Sequence, residues 1–248
     1  MSIASNPNGP TFCFDELPLH WQMTRCEKYA FSRLLEIAKP EVAIEIGTYK
    51  GGSLQLVSKN ANHVYSLDIS PTCKEELSQH FSNVEFLTGD SKTLVDGVLT
   101  EIKSRGSELG FVLIDGDHSS EGVRGDINAV LKHVPTRDVY IVFHDSFNPE
   151  ARRGILGAAW EACPYVHYVE IDYIPGVFHA EAFDTAHAGS MFGGLAVAVM
   201  KPERRVGSLK IHQSQKGLYE AVYKSSCYVD EEPTFYNRFR RVLGSKAA

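Results

Sequence analysis

Asp115, Asp117, His118, His144 and Asp145 crowd five ionisable groups into two short stretches, Asp115-Gly116-Asp117-His118 and His144-Asp145-Ser146. Each stretch closes an apolar run of strand length, Phe111–Asp115 and Val139–Phe143. Bringing so many ionisable groups together costs free energy unless a function or a bound partner offsets it. Oxygen and imidazole donors suit a divalent cation such as Mg²⁺ or Mn²⁺. The alternative is a hydrogen-bonded loop network around a metal-free ligand site.

A second group precedes them. Val42-Ala43-Ile44-Glu45-Ile46 reads as a buried strand with an acid inside it, and Gly47, Gly51 and Gly52 follow, up to Ser53. Leu54-Gln55-Leu56-Val57 then reopens an apolar pattern of helical type. Strand, glycine turn and helix present backbone N–H groups to a ligand at the carboxyl edge of a sheet. The spacing Gly47-x-x-x-Gly51-Gly52 is not the dinucleotide fingerprint. Asp68 ends the next apolar run about twenty residues on, where a carboxylate accepts from both hydroxyls of a ribose; a turn or cap role is the alternative. Asp90 and Ser91 follow a third run and would read an adenine edge or cap a helix.

The elements that must position these groups alternate along the chain. Thr24-x-x-Glu27 is a capping box opening a helix near 24–38, with Tyr29, Leu34, Leu35 and Ile37 as its buried face and Pro40 as its stop. Strands are expected at Val42–Ile46, Val64–Asp68, Val84–Thr88, Phe111–Asp115, Val139–Phe143, Tyr165–Ile171 and Leu195–Met200. Helices are expected at Cys73–His80, Thr93–Arg105, Gly122–His133 and 150–162, the second burying Leu94, Val98, Leu99 and Ile102. This alternation predicts a mainly parallel sheet covered on both faces, with ligands outside the strands' carboxyl ends. Residues 1–23 read as a loose arm, 24–202 as the main domain, and 203–248 as an extension of weak pattern, for which packing on a partner subunit is one reading. The glycine-rich excursion Ile174–Gly194, with Tyr173, Phe178, His179, Phe183, His187 and Phe192, is expected to shape a pocket for a sugar or an aromatic ring. The remaining histidines, among them His20, His133 and His212, read as surface or satisfied side chains.

Composition narrows the function. The chain has 248 residues, 43% hydrophobic and 23% charged, enough for one α/β domain with a full core. A net charge of -6 and the lack of basic runs argue against nucleic acid. The five cysteines are scattered without a C-x-x-C pair, which fits a reducing, cytoplasmic setting. No signal pattern or long apolar run points to a membrane.

With these residues together, the stretch from Thr24 to Met200 resembles the class I S-adenosylmethionine-dependent methyltransferases. More narrowly, it is similar to the catechol-type and bacterial sugar and natural-product O-methyltransferases. The resemblance rests on five motifs in order: Glu45 to Ser53, Leu67-Asp68-Ile69, Gly89-Asp90-Ser91, Ile114 to His118, and Phe143-His144-Asp145. It implies a Rossmann-like, doubly wound, seven-stranded α/β sheet whose last strand is antiparallel. It also implies S-adenosylmethionine held by Glu45, Gly47, Tyr49, Gly51, Gly52, Ser53, Asp68, Ile69, Asp90, Ser91, Asp115 and Asp117. A divalent metal would be held by Asp115 and Asp145 with His144; Fe²⁺ is an alternative to Mg²⁺ or Mn²⁺. Two departures stand out. The catechol-type enzymes carry an acid where this chain has His144, and a lysine base where it has His118. Some sugar-methylating relatives carry histidine at the latter place. The expected chemistry is methyl transfer to a hydroxyl of a small molecule, with His118 and Asp115 catalytic, Asp117 orienting the loop, and a homo-oligomer possible. Two other classes compete: hydroxylase or redox chemistry at the metal site of the same fold, and a scaffold with a vestigial site.

Overall fold

The structure, a computed structural model, describes residues 17–179 and 190–225. Helix α1 (Arg25–Ala38) starts where its spacing predicts: the Thr24 hydroxyl accepts from the Glu27 N–H while the Glu27 carboxylate accepts from the Thr24 N–H. Its C-cap Lys39 takes the left-handed conformation just before Pro40. The buried stripe is Phe31, Leu34, Leu35 and Ala38, one helical face at i, i+3, i+4 and i+7. Tyr29 and Ile37 lie off that stripe and are exposed, contrary to expectation.

The chain then runs through β1 (Val42–Ile46), α2 (Leu54–Asn60), β2 (His63–Asp68), α3 (Pro71–Leu77), β3 (Val84–Thr88), α4 (Ser91–Ser104) and β4 (Leu109–Ile114). It continues through α5 (Ser120–Val130), β5 (Val139–His144), α6 (Pro149–Leu156), β6 (Val166–Ile174), β7 (Val177–His179) and β8 (Ser190–Phe192). It ends in β9 (Leu195–Met200), β10 (Ile211–His212) and α7 (Lys216–Ser225). One sheet has the order β10-β6-β9-β5-β4-β1-β2-β3, and β7 pairs with β8 apart from it. Neighbours are parallel except around β9, which runs antiparallel to β5 and β6. This is the Rossmann-like, doubly wound fold with its seven expected strands. The two-residue β10 adds an eighth at the edge, too short to leave a periodic signal.

Strand β4 is apolar and buried throughout, as a central strand must be. Alternate side chains feed two cores. Ile44, Ile46, Val112, Ile114 and Phe143 pack with α4, α5 and α6 on one face. Ala43, Phe111, Leu113 and Val142 pack with α1 and α2 on the other. The order of strands reverses between β1 and β4, and the crevice at such a reversal is where α/β sheets bind ligands.

Residues on both sides of 24 and 202 pack against this domain. Trp21 and Met23 are buried in the α1 core, with Leu17 and Leu19 partly buried beside them. The buried Gln55 amide grips Leu19 through both its N–H and its carbonyl. On the other side, the Arg152–Asp172 ion pair is buried, and Asp172 accepts from the Gln215 N–H while Glu170 accepts from the Ser214 N–H. Residues 1–16, 180–189 and 226–248, including Phe183 and His187 of the expected pocket, lie outside the described residues. Among the described residues no helix is long and apolar enough to cross a membrane.

Candidate active site

The glycine turn after β1 is held by steric necessity. Gly47 has φ 89°, and a Cβ there would lie 2.1 Å from the Asp115 carbonyl oxygen, so the ends of β1 and β4 meet backbone to backbone. A Cβ on Gly52 would lie 2.4 Å from the His20 carbonyl oxygen. The turn's own amides close it onto β2: Thr48 N–H and Tyr49 N–H donate to Asp68 Oδ2 at 2.9 and 3.0 Å. Ser70 N–H donates to Asp68 Oδ1 at 2.8 Å. Burial pushes the Asp68 carboxyl up, but these backbone donors outweigh it and hold the group below its ordinary range. Asp68 thus shapes the turn while facing the cleft.

Glu45 lies beneath that turn and does not line the cleft. It is fully buried and accepts from the Ser53 hydroxyl at 2.9 Å, while its Oε2 has no partner among the described residues. Burial pushes its carboxyl up to about 8. Asp90 caps α4, accepting from Lys92 N–H, and also lines the cleft. Ser91 turns its hydroxyl to Asp126 Oδ1 at 2.5 Å, and burial pushes the Asp126 carboxyl up to about 6.

The ends of β4 and β5 bring the five ionisable groups together. His144 Nδ1 is 3.1 Å from Asp115 Oδ1 and 3.6 Å from Asp145 Oδ2. His118 bridges the same two acids, 3.3 Å from each. Donor atoms of Asp115, His144 and Asp145 all lie within 4.8 Å of one another. Burial opposes charge on Asp115, but His144 and His118 overcome it and bring the carboxyl down to about 2. His144 is correspondingly held well above its ordinary value by Asp115 and Glu27, against burial. The Asp115 hydrogen bond, helped by the Asp145 charge, also raises His118. Asp145 has φ 57°, a left-handed conformation unusual for a non-glycine residue and concentrated at functional sites. His118 does not cap α5; Ser119 does, accepting from Gly122 N–H, while Asp117 accepts from Ser119 N–H and so orders the loop. Three carboxylates, Glu27, Asp115 and Asp145, surround the His144 ring and favour its charged form. Two carboxylates and an imidazole with converging donors fit a divalent cation.

The turn and the cluster share one cleft of about 930 Å³. Gly47, Tyr49, Gly52, Ser53, Asp68, Ile69, Asp90, Ser91, Asp115, Asp117, His118, His144 and Asp145 line it; Gly51 does not. His20, Trp21, Gln22, Met23 and Asp126 also line it, and sequence reasoning missed them. Glu27 was missed as a site residue because its capping box already accounts for it.

Residues 44–146 match the family model described as "Methyltransferase domain". An uncharacterised protein of Acanthamoeba polyphaga mimivirus is 31% identical over 113 residues, covering 41% of this chain and 50% of that protein. The chain therefore spans about half the length of the curated relative it matches. Among solved structures, an O-methyltransferase from Bacillus cereus in complex with SAH superposes with TM-score 0.51 at 18% identity, over 72% of this chain and 82% of that one. The O-methyltransferase TomG from Streptomyces achromogenes, involved in tomaymycin synthesis and in complex with SAM, gives TM-score 0.52 at 14% identity, over 72% and 81%. At such identities these two establish the fold.

Proposed function

We propose that this chain, whose residues 44–146 match a methyltransferase-domain family model, is a class I S-adenosylmethionine-dependent methyltransferase that moves the sulfonium methyl of S-adenosylmethionine onto a hydroxyl of a small molecule, assisted by a divalent metal. The reading is carried by one observation: His118 sits 3.3 Å from each of two acids, Asp115 and Asp145, in the same cleft as Asp68 and the glycine turn. The turn from Gly47 to Ser53 would take the methionine end of the donor, Asp68 the ribose hydroxyls, and Asp90 with Ser91 the adenine edge. In the transfer a C–S bond breaks and a C–O bond forms, and the hydroxyl proton leaves to His118. The products are S-adenosylhomocysteine and a methyl ether. A Mg²⁺ or Mn²⁺ ion held by Asp115, His144 and Asp145 would lower the pKa of a bound hydroxyl and fix its position. His118 must be neutral to accept the proton, and Asp115 and Asp145 favour its charged form. Placing donor and acceptor in line lowers the barrier by several kcal/mol, on the order expected for such positioning.

A cytoplasmic enzyme without a nucleic-acid partner belongs to the same proposal, supported by the net charge of -6 and the scattered cysteines. The test incubates the full chain with S-adenosylmethionine, Mg²⁺ or Mn²⁺, and a panel of sugars and catechols, and follows S-adenosylhomocysteine by mass spectrometry. Turnover that chelation abolishes is the expected result. Metal-dependent oxygen uptake without methyl transfer would replace this reading with the hydroxylase one.

A further inference from the structure

Glu27 is more deeply placed than its capping box requires. It lies in the first turn of α1, where a capping glutamate is ordinarily a surface group, yet it is 1% exposed. Its Oε2 accepts from Thr24 N–H at 2.6 Å. Its Oε1 accepts from Gly194 N–H and lies 3.5 Å from His144 Nε2. Gly193 and Gly194 both take positive φ, 73° and 87°, and so divide their amides between two acids. Gly193 N–H donates to Asp145 Oδ1 at 2.9 Å, and Gly194 N–H to Glu27. A Cβ on Gly193 would come within 2.6 Å of Glu27 Oε1, so the turn is glycine where it presses on this carboxylate. His144 Nε2 itself is buried and has no hydrogen-bond partner among the described residues. The Glu27 carboxylate is thus the charge it faces.

We propose that Glu27 is a positioning residue for the metal site: it holds His144 with a proton on Nε2, so that the Nδ1 lone pair points between Asp115 and Asp145. The inference rests on the metal reading above. A bare Nε2 lone pair turned toward a buried carboxylate is repelled, whereas an N–H in the same place is attracted. Carboxylates face Nδ1 as well, so without a cation the ring favours a proton on both nitrogens; when a cation displaces the Nδ1 proton, the one left on Nε2 stays directed at Glu27, and that fixes the tautomer and the ring orientation. Nδ1 is already the ring atom directed at the other two donors, 3.1 Å from Asp115 Oδ1 and 3.6 Å from Asp145 Oδ2. A carboxylate on the far nitrogen of a ligating histidine orients it and makes it a better donor. Where an acid would bring its own charge to the metal, this chain would bring a ring made neutral by loss of its Nδ1 proton to the cation, with a carboxylate behind it. Helix α1 and the Gly193-Gly194 turn, remote in sequence, are joined by that carboxylate.

The test uses the full chain without S-adenosylmethionine and needs no acceptor. Mn²⁺ is titrated into wild type, Glu27→Gln, Asp145→Ala and Thr24→Ala, and free Mn²⁺ is read by electron paramagnetic resonance. Asp145→Ala is expected to lose binding, and Glu27→Gln to weaken it roughly 10- to 100-fold. Thr24→Ala removes the cap hydroxyl alone; it should lower the melting temperature and leave Mn²⁺ affinity unchanged. If Thr24→Ala weakens Mn²⁺ as much as Glu27→Gln, the effect is helix capping and the proposal falls. Unchanged affinity in Glu27→Gln beside lost binding in Asp145→Ala overturns the role of Glu27 and leaves the metal reading intact. Absence of Mn²⁺ binding by the wild type overturns both. Should Glu27→Gln fail to fold, the wild type still decides. Long-range ¹H–¹⁵N spectra of the Zn²⁺-loaded protein should show His144 protonated on Nε2 and metal-bound through Nδ1, and the reverse assignment would refute the proposal.

Discussion

On the β1–β2 side of the cleft the backbone makes the surface, while on the β4–β5 side the side chains do. The first side is a turn whose glycines have no room for a Cβ and whose amides fold onto Asp68. The turn's hydrogen bonds to Asp68 Oδ2 span 20 and 19 residues of sequence, and a single βαβ unit contains them. The second side gathers Asp115, His118, His144 and Asp145 from two strand ends, then adds Glu27 from α1 and two amides from the turn before β9. Steric fit governs one half and electrostatic balance the other. The turn half should therefore respond to added volume, and the ionisable half to removed charge.

The largest effect is expected from Gly47→Ala. A Cβ there meets the Asp115 backbone at 2.1 Å with φ at 89°, so neither strand can yield without breaking the sheet. A loss of about 4 kcal/mol or more in stability is the outcome to look for by denaturant titration. A well-folded variant would show that the turn is looser than drawn. Next, Asp145→Ala and His118→Ala should each lower kcat by roughly 10²–10⁴ while calorimetry finds S-adenosylmethionine affinity retained. Equal loss of donor binding in both would dissolve the division between the halves.

Glu45 sharpens the contrast, because it is a charge-bearing group in the steric half. Its folded carboxyl, at about 8 against the ordinary 4.5, keeps a proton that the unfolded chain releases. Its contribution is thus fully present below pH 4.5 and is lost as pH rises toward 8, at about 1.4 kcal/mol per pH unit where steepest. Glu45→Gln, which mimics the protonated form, should raise the melting temperature at pH 8 and leave it nearly unchanged at pH 4.5. An equal shift at both values would mean that Glu45 is ionised in the fold. The smallest effect is expected at Gly97 in α4, where a Cβ meets nothing within 4 Å. Gly97→Ala should stabilise by about 0.5–1 kcal/mol, in contrast to Gly47.

The same division explains what could be read from the sequence. Strand, glycine turn and Asp68 are neighbours along the chain, so spacing alone exposes them. Asp115, His144 and Asp145 were found because strand ends are easy to locate and ligands gather there. Glu27 was hidden: Thr24-x-x-Glu27 is fully explained by a capping box, and its second partner, Gly194, is 167 residues away. Asp126 was hidden because an acid on an amphipathic helix reads as solvated, until Ser91 is seen to face it. Arg152 was passed over for the same reason, although it is buried against Asp172. Polar groups buried by distant partners carry no periodic signal.

The proposed function requires S-adenosylmethionine and metal to lie side by side in one cleft. It is tested most directly by proton NMR of S-adenosylhomocysteine in exchange with the protein as Mn²⁺ is added. The account predicts that bound Mn²⁺ broadens the ligand's signals strongly and that Asp145→Ala abolishes the broadening while leaving ligand binding intact. Sharp ligand signals with Mn²⁺ bound at saturation, or broadening that persists in Asp145→Ala, would contradict it.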